Sequence, residues 1–422
     1  MTQNPLHVTA SCADPESPQT LTVENARAKI LSDLKPVEAC ERLALRDALH
    51  RVLAESIISP VDVPGHTNSA MDGYALSGSD LTTPSTDLKL IGAALAGNPF
   101  QGRCGPGECV RIMTGAPMPP GTDTVVMQEQ SQEIGEDVIR FGEGHRSGQN
   151  VRHAGEDIAS GSVVLEPGRR LTPADLGIIA SLGFAEVSVR RRPRVAFFST
   201  GDELRGLGEV LGEGELYDSN RYTLHGMLQR AGVETLDLGV IRDDPDALKQ
   251  AFQQAAASAD VVISSGGVSV GSADYTKSVL QSCGEIAFWK IAMKPGRPLT
   301  FGTLDGAVFF GLPGNPVAVM VSFYQFVLPA LHWLSSGTEY RPFTLMARCE
   351  NRLRKRPGRF EFVRGDLQQT PDGDFRVTGL AQQGSGILSS MSRGNCFILL
   401  ETNRDGVEPG DLVRVQPFAA MI

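Results

Sequence analysis

The spacing of apolar and polar residues along positions 194–335 predicts strands that alternate with helices. The runs VAFF, VVIS and AVFF are apolar throughout, which is typical of strands covered on both faces. Between them lie polar segments with helical spacing, of which one ends at Gly232 and another begins at Pro245. Such alternation favours βαβ units. We therefore predict a central α/β module with a mainly parallel sheet over residues 192–342.

Helical patterns also precede this module. LTVENARAKILSDL has Thr22 as a possible N-cap and stops before Pro36, and LTPADLGIIASLG has Thr172 as an N-cap and Gly183 as a stop. In DALHRVLAESII, helical spacing would place four apolar residues on one face: Leu49, Val52, Leu53 and Ile57. Together with the strand SVVLEP, these segments predict a discontinuous lobe of mixed helical and β structure at 21–58 plus 151–191.

Two further regions have a β pattern. Short runs such as CVRIM and DVIRF alternate with Gly and Pro turns over residues 59–150, and predict a β-rich insert domain. Residues 343–422 show the same texture and predict a small C-terminal β-barrel or sandwich. We expect residues 1–20, which are polar and contain prolines, to form a disordered tail. The fold class is thus multidomain, α/β and β.

One apolar segment requires a membrane test. Residues 317–334 carry no formal charge over a length close to the minimum for a membrane span. They include Tyr324, Gln325, Pro329 and His332, and no basic cluster flanks them. We interpret the segment as a buried helix, with no membrane partner expected.

Composition narrows the possible partners and compartments. The 422-residue chain has a net charge of −10 and only 6% aromatic residues, so nucleic acid is not an expected partner. Its seven cysteines are scattered, and no second pair or nearby histidine completes a zinc site with Cys104 and Cys109. We expect reduced thiols and a cytoplasmic location.

Candidate chemistry lies in the loops that follow the predicted strands, because open α/β sheets bind ligands at the carboxyl ends of their strands. The loop from Ser264 to Gly271 is rich in glycine and hydroxyl groups and suits a phosphate, although a plain tight turn is the alternative. It also matches the G-x-S-x-G pattern of hydrolases. The only downstream histidine is His332, inside the apolar helix, which argues against that function.

Charged residues in the same loops suggest a metal and an anion. Mg²⁺ near a phosphoanhydride prefers one or two carboxylates with phosphate oxygens and water, although helix capping is an alternative function for some of these acids. Cations without an intervening acid suit an anionic ligand. In GLPGNP, Asn315 is a natural N-cap and Pro316 a natural first helical residue. The acidic candidates are Asp202, Glu203, Asp243, Asp244 and Asp274, and the basic candidates are Lys290, Lys294 and Arg297.

Several long motifs resemble one family. SGGVSVG followed by ADYTK, WKIAMKPGRP, FFGLPGNPVAV and FFSTGDEL, together with PGHTNSAMDGYAL and GSGILSSMSRGNCFILLE, resembles the molybdopterin molybdenumtransferases, which are related to the C-terminal part of gephyrin. The likeness runs from about residue 20 to the C-terminus. It implies insertion of molybdenum from molybdate into adenylylated molybdopterin, with Mg²⁺-assisted release of AMP. Partners implied with less specificity are the preceding adenylyltransferase and apo-molybdoenzymes.

The resemblance also implies roles for individual residues. Asp243 and Asp274 correspond to metal and nucleotide contacts, and Glu203 lies near the phosphates. Asp72 and Thr114 of the insert correspond to functional positions that reach the site of the other subunit, which implies a homodimer. The resemblance implies substrate binding for Gly266, Gly267, Ser269, Gly271, Lys290, Lys294, Pro313 and Pro316. The composition of the strand-end loops predicts the same function for Ser264, Arg297 and Asn315.

Some features depart from the family pattern. His153 and Ala154 stand where further arginines are common, and Arg297 stands where lysine is common. Two alternatives also remain open: a gephyrin-like scaffolding protein, which would be expected to carry a long linker and another N-terminal module, and an adenylyltransferase-type nucleotide enzyme, which would lack the insert and the C-terminal domain.

Overall fold

The computed structural model describes residues 20–81, 83–266 and 274–418. The predicted N-terminal tail therefore lies outside the described residues up to position 19, and so do Gly267, Ser269 and Gly271. The chain divides into two compact units, one formed by residues up to Glu41 and from Arg190 onward, the other by Arg42–Val189. Each unit is described by itself.

A seven-stranded central sheet organises the first unit. Of its neighbouring strand pairs, four are parallel, and the two pairs made by Pro298–Leu304 are antiparallel. The predicted mainly parallel sheet is thus confirmed. In spatial order the strands are Thr20–Leu21, Gly284–Ile291, Pro298–Leu304, Ala307–Leu312, Val261–Ser265, Arg194–Thr200 and Glu234–Ile241.

Helices cover both faces of this sheet because its strands are apolar on both sides. Phe197 packs into one core with the helices Val23–Ser32 and Ser219–Ala231, whereas its neighbour Phe198 packs on the other face with the helix Pro245–Ser258. The helix ends follow the sequence signals: Gly232 adopts the left-handed conformation at φ 73°, and the Asp244 carboxylate accepts a hydrogen bond from Ala247 N at 2.8 Å. A further helix spans Asp274–Cys283.

The apolar segment is the interior helix of the first unit. It runs from Pro316 to Ser336, with a π-helical stretch at Phe323–Val327. Among the described residues it alone is long and apolar enough to cross a membrane, but 83% of its most apolar window is buried in the protein. Its burial confirms the prediction of a core helix.

The C-terminal part of the first unit is a closed barrel. Its sheet closes because Phe360–Gln369 pairs with both Phe375–Gly379 and Cys396–Leu400. The interior is apolar, as the alternation of side chains along each strand requires. The predicted small barrel is confirmed. The strand order from the edge strand onward is Met293–Lys294, Phe360–Gln369, Phe375–Gly379, Leu345–Cys349, Leu412–Pro417 and Cys396–Leu400.

The second unit contains the insert sheet and a smaller lobe. The lobe contains the helix Pro173–Ser181, at whose start Thr172 and Asp175 form a reciprocal capping box. It also contains an antiparallel pair of short strands, Ile57–Ile58 and Val163–Leu165. Two apolar cores lie on the insert sheet, one on each face. The insert strands in spatial order are Thr124–Met127, Gly73–Leu76, Glu108–Ile112, Thr86–Ala94, Val138–Phe141 and Ser131–Gly135.

Two sequence predictions need correction here. The helix Val23–Ser32 exists, but its apolar face packs against the central sheet in the first unit rather than in the discontinuous lobe. The helix predicted over residues 47–58 is wrong: beyond a short 3₁₀ turn at Leu45–Asp47, this segment is extended. Leu53 N donates to Arg169 O at 2.9 Å and Ala54 N to Ser188 O at 3.0 Å, so neighbouring backbone replaces the helical hydrogen bonds. A short apolar run fits either period, and tertiary pairing decides between them.

Candidate functional site

A large cleft lies at the carboxyl ends of the central strands in the first unit. Its volume is about 970 Å³, and the described residues that line it come from both the α/β part and the barrel. This is the edge at which an open α/β sheet binds ligands. The strands Arg194–Thr200, Val261–Ser265 and Ala307–Leu312 end there side by side in parallel register.

Glycine and an asparagine build the floor of the cleft. Gly266 has φ 93°, and a Cβ atom there would lie 2.5 Å from the carbonyl oxygen of Thr200. Asn220, at the start of a helix, donates through Nδ2 to Ser265 Oγ at 2.9 Å and to Gly314 O at 2.7 Å. That side chain therefore ties two strand-end loops together. Sequence reasoning did not single out Asn220.

Acidic residues line one part of the cleft. Glu203 and Asp243 both contribute to the lining, and Asp243 N donates to Asp202 Oδ1 at 3.3 Å. Partial desolvation, together with the nearby carboxylates of Asp202 and Glu203, raises the pKa of Asp243. No three metal-ligating side chains converge within the described part of the chain, which excludes the side chain of Asp274. A metal would thus need ligands from its substrate as well.

Two other acids near the strand ends have structural functions. Asp244 caps the helix Pro245–Ser258, which is the alternative function that its position allowed. Asp218 is 1% exposed, caps the helix Ser219–Ala231 through Arg221 N at 3.1 Å, and accepts a hydrogen bond from Ser199 Oγ at 3.0 Å. Both carboxylates therefore already accept hydrogen bonds that stabilise helix starts.

Basic residues line another part of the same cleft. Lys294 and Arg297 contribute as predicted, and Arg359 of the barrel joins them. Lys294 Nζ lies 3.5 Å from the Glu361 carboxylate. Lys290, which we grouped with them, is exposed and does not line the cleft, because it lies within the strand Gly284–Ile291 opposite Thr20 and Pro298 rather than in the following loop.

The barrel contributes a loop that sequence reasoning did not assign. Residues 383–386 line the cleft, and Val317 N donates to Ser385 O at 3.0 Å. Arg364, 1% exposed, supports this loop by donating to Gly384 O at 3.1 Å and to Ser390 Oγ at 3.1 Å. Burial lowers the pKa of its guanidinium to about 10. The buried arginine therefore holds one wall of the cleft in place.

The remaining predicted residues of this edge fall into three groups. Pro313, Asn315 and Pro316 line the cleft, with Asn315 at the N-cap position but without a capping hydrogen bond from its side chain. Ser264 is buried within the sheet, and Ser265 is the serine that reaches the lining, because successive strand residues point to opposite sides. Asp274 is the first residue of the helix Asp274–Cys283.

Asp72 and Thr114 meet in the second unit. Asp72 Oδ1 accepts hydrogen bonds from Thr114 N at 2.8 Å and from Thr114 Oγ1 at 2.7 Å. The Thr114 backbone amide and hydroxyl lower the pKa of the Asp72 carboxyl. The insert therefore presents an exposed, ionised carboxylate, that of Asp72, which is held in place by a residue 42 positions further along the chain.

Sequence models of three protein families match successive parts of the chain. They are described as the MoeA N-terminal region (domain I and II) over 21–183, a probable molybdopterin binding domain over 196–333, and the MoeA C-terminal region (domain IV) over 346–418. A molybdopterin molybdenumtransferase of Haemophilus influenzae is 45% identical over 399 residues, which cover 94% of this chain and 98% of that protein. The chain belongs to the molybdopterin molybdenumtransferase family.

Other members of the family agree with this assignment. The molybdopterin molybdenumtransferase of a Nostoc species is 37% identical over 370 residues, covering 85% of this chain and 82% of that protein. The crystal structure of the molybdopterin biosynthesis MoeA protein from Pyrococcus horikoshii OT3 superposes with a TM-score of 0.82 at 29% identity, over 94% of this chain and 100% of that one. The resemblance inferred from the motifs, the multidomain fold and the classification as a transferase are thus confirmed.

Proposed function

We propose that the chain inserts molybdenum from molybdate into adenylylated molybdopterin and releases AMP, with Mg²⁺ assisting. The observation that supports this most directly is a single cleft lined both by carboxylates, Glu203 and Asp243, and by the cations Lys294, Arg297 and Arg359. A substrate that carries a phosphoanhydride and must meet a tetrahedral dianion needs both kinds of group. Family membership provides independent support for molybdopterin as the substrate class.

The glycine at the floor suits the nucleotide end of this substrate. Because a Cβ at Gly266 would meet Thr200 O, only glycine lets the backbone run this close to the strand end. Backbone amides exposed in this way are the usual ligands of phosphate groups. We assign the phosphoanhydride to this floor, beside Glu203.

The basic part of the cleft suits molybdate. Arg359 forms no ion pair or hydrogen bond with any side chain in the described part of the chain, and Lys294 is balanced only by a 3.5 Å contact with Glu361. A planar guanidinium donates two parallel hydrogen bonds to an oxyanion. Lys294 and Arg359, with Arg297 nearby, are therefore the residues that we expect to hold the molybdate oxygens. The pterin dithiolene would then receive the metal, so no protein thiolate is required.

Mg²⁺ fits the acidic part only together with the substrate. Partial burial, followed by repulsion from the carboxylates of Asp202 and Glu203, raises the pKa of Asp243. None of these three acids forms an ion pair with a residue that the structure describes. A hydrated Mg²⁺ prefers one or two carboxylates and completes its shell with phosphate oxygens and water. We propose Asp243 and Asp274 as its protein ligands. The ion would neutralise charge on the phosphoanhydride as AMP leaves.

A homodimer would complete the site. The fixed carboxylate of Asp72, held by Thr114, belongs to the second unit, whereas all described residues of the cleft belong to the first. We propose that this pair acts in the cleft of the partner subunit.

The enzyme would work in the cytoplasm, receive its substrate from an adenylyltransferase and pass its product to apo-molybdoenzymes. The six cysteines that the structure describes form no disulfide with one another, which supports this proposal.

Turnover is tested with purified protein, adenylylated molybdopterin, Mg²⁺ and micromolar molybdate, with AMP release and reconstitution of an apo-molybdoenzyme as readouts. We expect molybdate-dependent AMP release that falls by about 10²-fold or more in Glu203→Gln, because a carboxylate at the phosphates is lost. Asp246→Asn is the matched control, since Asp246 is exposed in the first turn of a helix outside the cleft. AMP release that does not depend on molybdate would refute the proposed reaction.

Subunit sharing has its own test. Asp72→Asn and Glu203→Gln are purified as separate inactive variants, dissociated and reassembled together. If the sites are shared across the dimer, half of the dimers are mixed and each carries one intact site, so about a quarter of wild-type activity returns. Light scattering should show a dimer before dissociation and again after reassembly. Mixed dimers without recovered activity would show that both residues act within one chain.

A further inference from the structure

A row of arginines projects from the barrel next to the cleft. Along residues 352–356 exposure alternates, so that Arg352, Arg354 and Arg356 are exposed while Leu353 and Lys355 are buried. In an extended chain, residues two positions apart lie about 7 Å apart on the same side. The segment therefore exposes three arginine side chains on the side opposite Leu353 and Lys355.

The two buried residues fix this row to the barrel. Leu353 packs into the barrel core and exchanges two backbone hydrogen bonds of 2.9 Å with Val407. The Lys355 ammonium donates to three backbone carbonyls, those of Arg356 at 3.2 Å, Thr402 at 3.1 Å and Arg404 at 3.0 Å. Lys355 is thus a clamp between two loops, and the arginines on either side of it have a defined position.

The arginines surround a cavity of about 470 Å³. Arg352 has a partner, with Nε 2.9 Å from the Glu408 carboxylate. Arg354 and Arg356 form no ion pair or hydrogen bond through their side chains with the residues that the structure describes. We call this cavity the arginine groove; its charged lining consists of Lys294, Arg352, Arg354, Lys355, Arg356 and Arg359 with the acids Glu361, Asp405 and Glu408.

The arginine groove continues into the cleft. Lys294 and Arg359 line both cavities, so an anion leaving the groove meets the cations that we assign to molybdate. Six cations against three carboxylates make the groove positive on a chain whose net charge is −10. An excess of one sign of charge in a groove raises the local concentration of the opposite ion, by about 10-fold or more where that sign dominates.

We propose that the arginine groove is a second oxyanion site, which collects molybdate at the barrel and supplies it to the cleft. This inference rests on the proposed function, since it takes molybdate as the substrate. Arg354 and Arg356 would act before chemistry, by raising the occupancy of the anion beside Lys294. They would contribute nothing to the step that releases AMP, because they do not line the cleft.

The test compares steady-state kinetics of the wild type with those of the double variant Arg354→Ala/Arg356→Ala. We expect the KM for molybdate to rise about tenfold, with kcat at saturating molybdate and the KM for adenylylated molybdopterin unchanged. The dependence of kcat/KM on salt should flatten, since fewer charges attract the anion. Arg354→Glu/Arg356→Glu should give a larger rise in the same constant.

The matched control is Arg348→Ala/Arg376→Ala. These two exposed residues lie on neighbouring strands of the same barrel and outside the groove, so the control removes the same charge from the same domain. It should leave the KM for molybdate unchanged. An equal rise in the control and the groove variant would refute a specific site.

Two further results would overturn the proposal. One is an unchanged KM for molybdate in both groove variants. The other is a rise in the KM for adenylylated molybdopterin alone, which would assign the groove to substrate phosphates instead. Equilibrium dialysis with molybdate alone separates this proposal from the reaction. If the wild type releases no AMP, the proposed function is refuted. If Arg354→Ala/Arg356→Ala binds molybdate in dialysis as tightly as the wild type does, the groove is refuted as a molybdate site.

Discussion

The close approach of backbone at the cleft floor can be tested with one methyl group. Gly266→Ala would place a Cβ 2.5 Å from the carbonyl oxygen of Thr200, where real Cβ atoms essentially never lie. That carbonyl belongs to the end of a central strand whose neighbours on both sides are paired, so it cannot move away easily. The substituted residue would also keep the φ of 93°, which side-chain-bearing residues rarely adopt.

The expected cost follows from these two effects. The unfavourable φ costs about 1–2 kcal/mol, and forcing the extra atom into a packed site costs about 1–3 kcal/mol. Together they predict a loss of about 2–5 kcal/mol, or a fall of roughly 5–15 °C in the Tm of the first unit. Calorimetry of the full chain measures the Tm. If Gly266 contacts the phosphates as we propose, AMP release should fall at the same time.

Gly226→Ala is the matched control for this substitution. Gly226 lies in the middle of the helix Ser219–Ala231 on its solvent-exposed face, and a Cβ atom there would meet nothing within 4 Å outside the helix backbone. Alanine should therefore stabilise the first unit by about 0.5–1 kcal/mol and leave AMP release unchanged. If Gly266→Ala retained both the wild-type Tm and wild-type activity, the strand end would be free to move and the argument for a glycine-only floor would be refuted.

Three other predictions follow from individual contacts. If turnover requires ionised Asp243, activity should fall on acidification at a pH above the ordinary titration range of an aspartate, because the pKa of Asp243 is raised. Asp202→Asn removes a repelling charge and should shift the acidic limb of the pH–rate profile to lower pH. An unshifted acidic limb would contradict the assignment. Thr172→Ala breaks the capping box with Asp175 and should destabilise the second unit by about 1 kcal/mol in calorimetry, with the transition of the first unit unmoved. Phe252→Ala removes a fully buried ring that packs on two others and should destabilise the first unit by about 3–5 kcal/mol, whereas a smaller effect would mean that the core collapses around the gap.

Much of the fold could be predicted because local signals agree with the final packing. The strands VAFF, VVIS and AVFF are buried on both faces, and Gly232 and Thr172 end or begin helices where their conformational preferences place them. The segment at 47–58 failed for the opposite reason. Its apolar spacing suits a helix, but the hydrogen bonds that decide its structure come from residues more than 100 positions away, which no local pattern reveals.

The candidate site was predictable only as far as strand order determines it. Loops after parallel strands meet at one edge, and this rule located Glu203, Asp243, Gly266 and Lys294. It could not locate Arg359 or the loop at 383–386, because these come from the barrel and only the docking of two domains within the first unit brings them to the cleft. Asp72 and Thr114 became candidates through the family resemblance alone, and their hydrogen bond was not predicted.

The second unit is a continuous segment inserted into the first, and the chain leaves and re-enters the first unit at neighbouring positions. Arg191 N donates to Ala39 O at 2.7 Å within that unit, and the strands Cys40–Ala44 and Glu186–Arg190 pair beside this contact. The two ends of the intervening segment of nearly 150 residues are therefore only one strand spacing apart, about 5 Å. A two-residue turn could bridge that gap, and we expect the first unit to fold when such a turn replaces the inserted unit. Excision at this point would leave the hydrogen bond between Arg191 and Ala39 within the first unit, so substitutions in one unit should have little effect on the folding of the other.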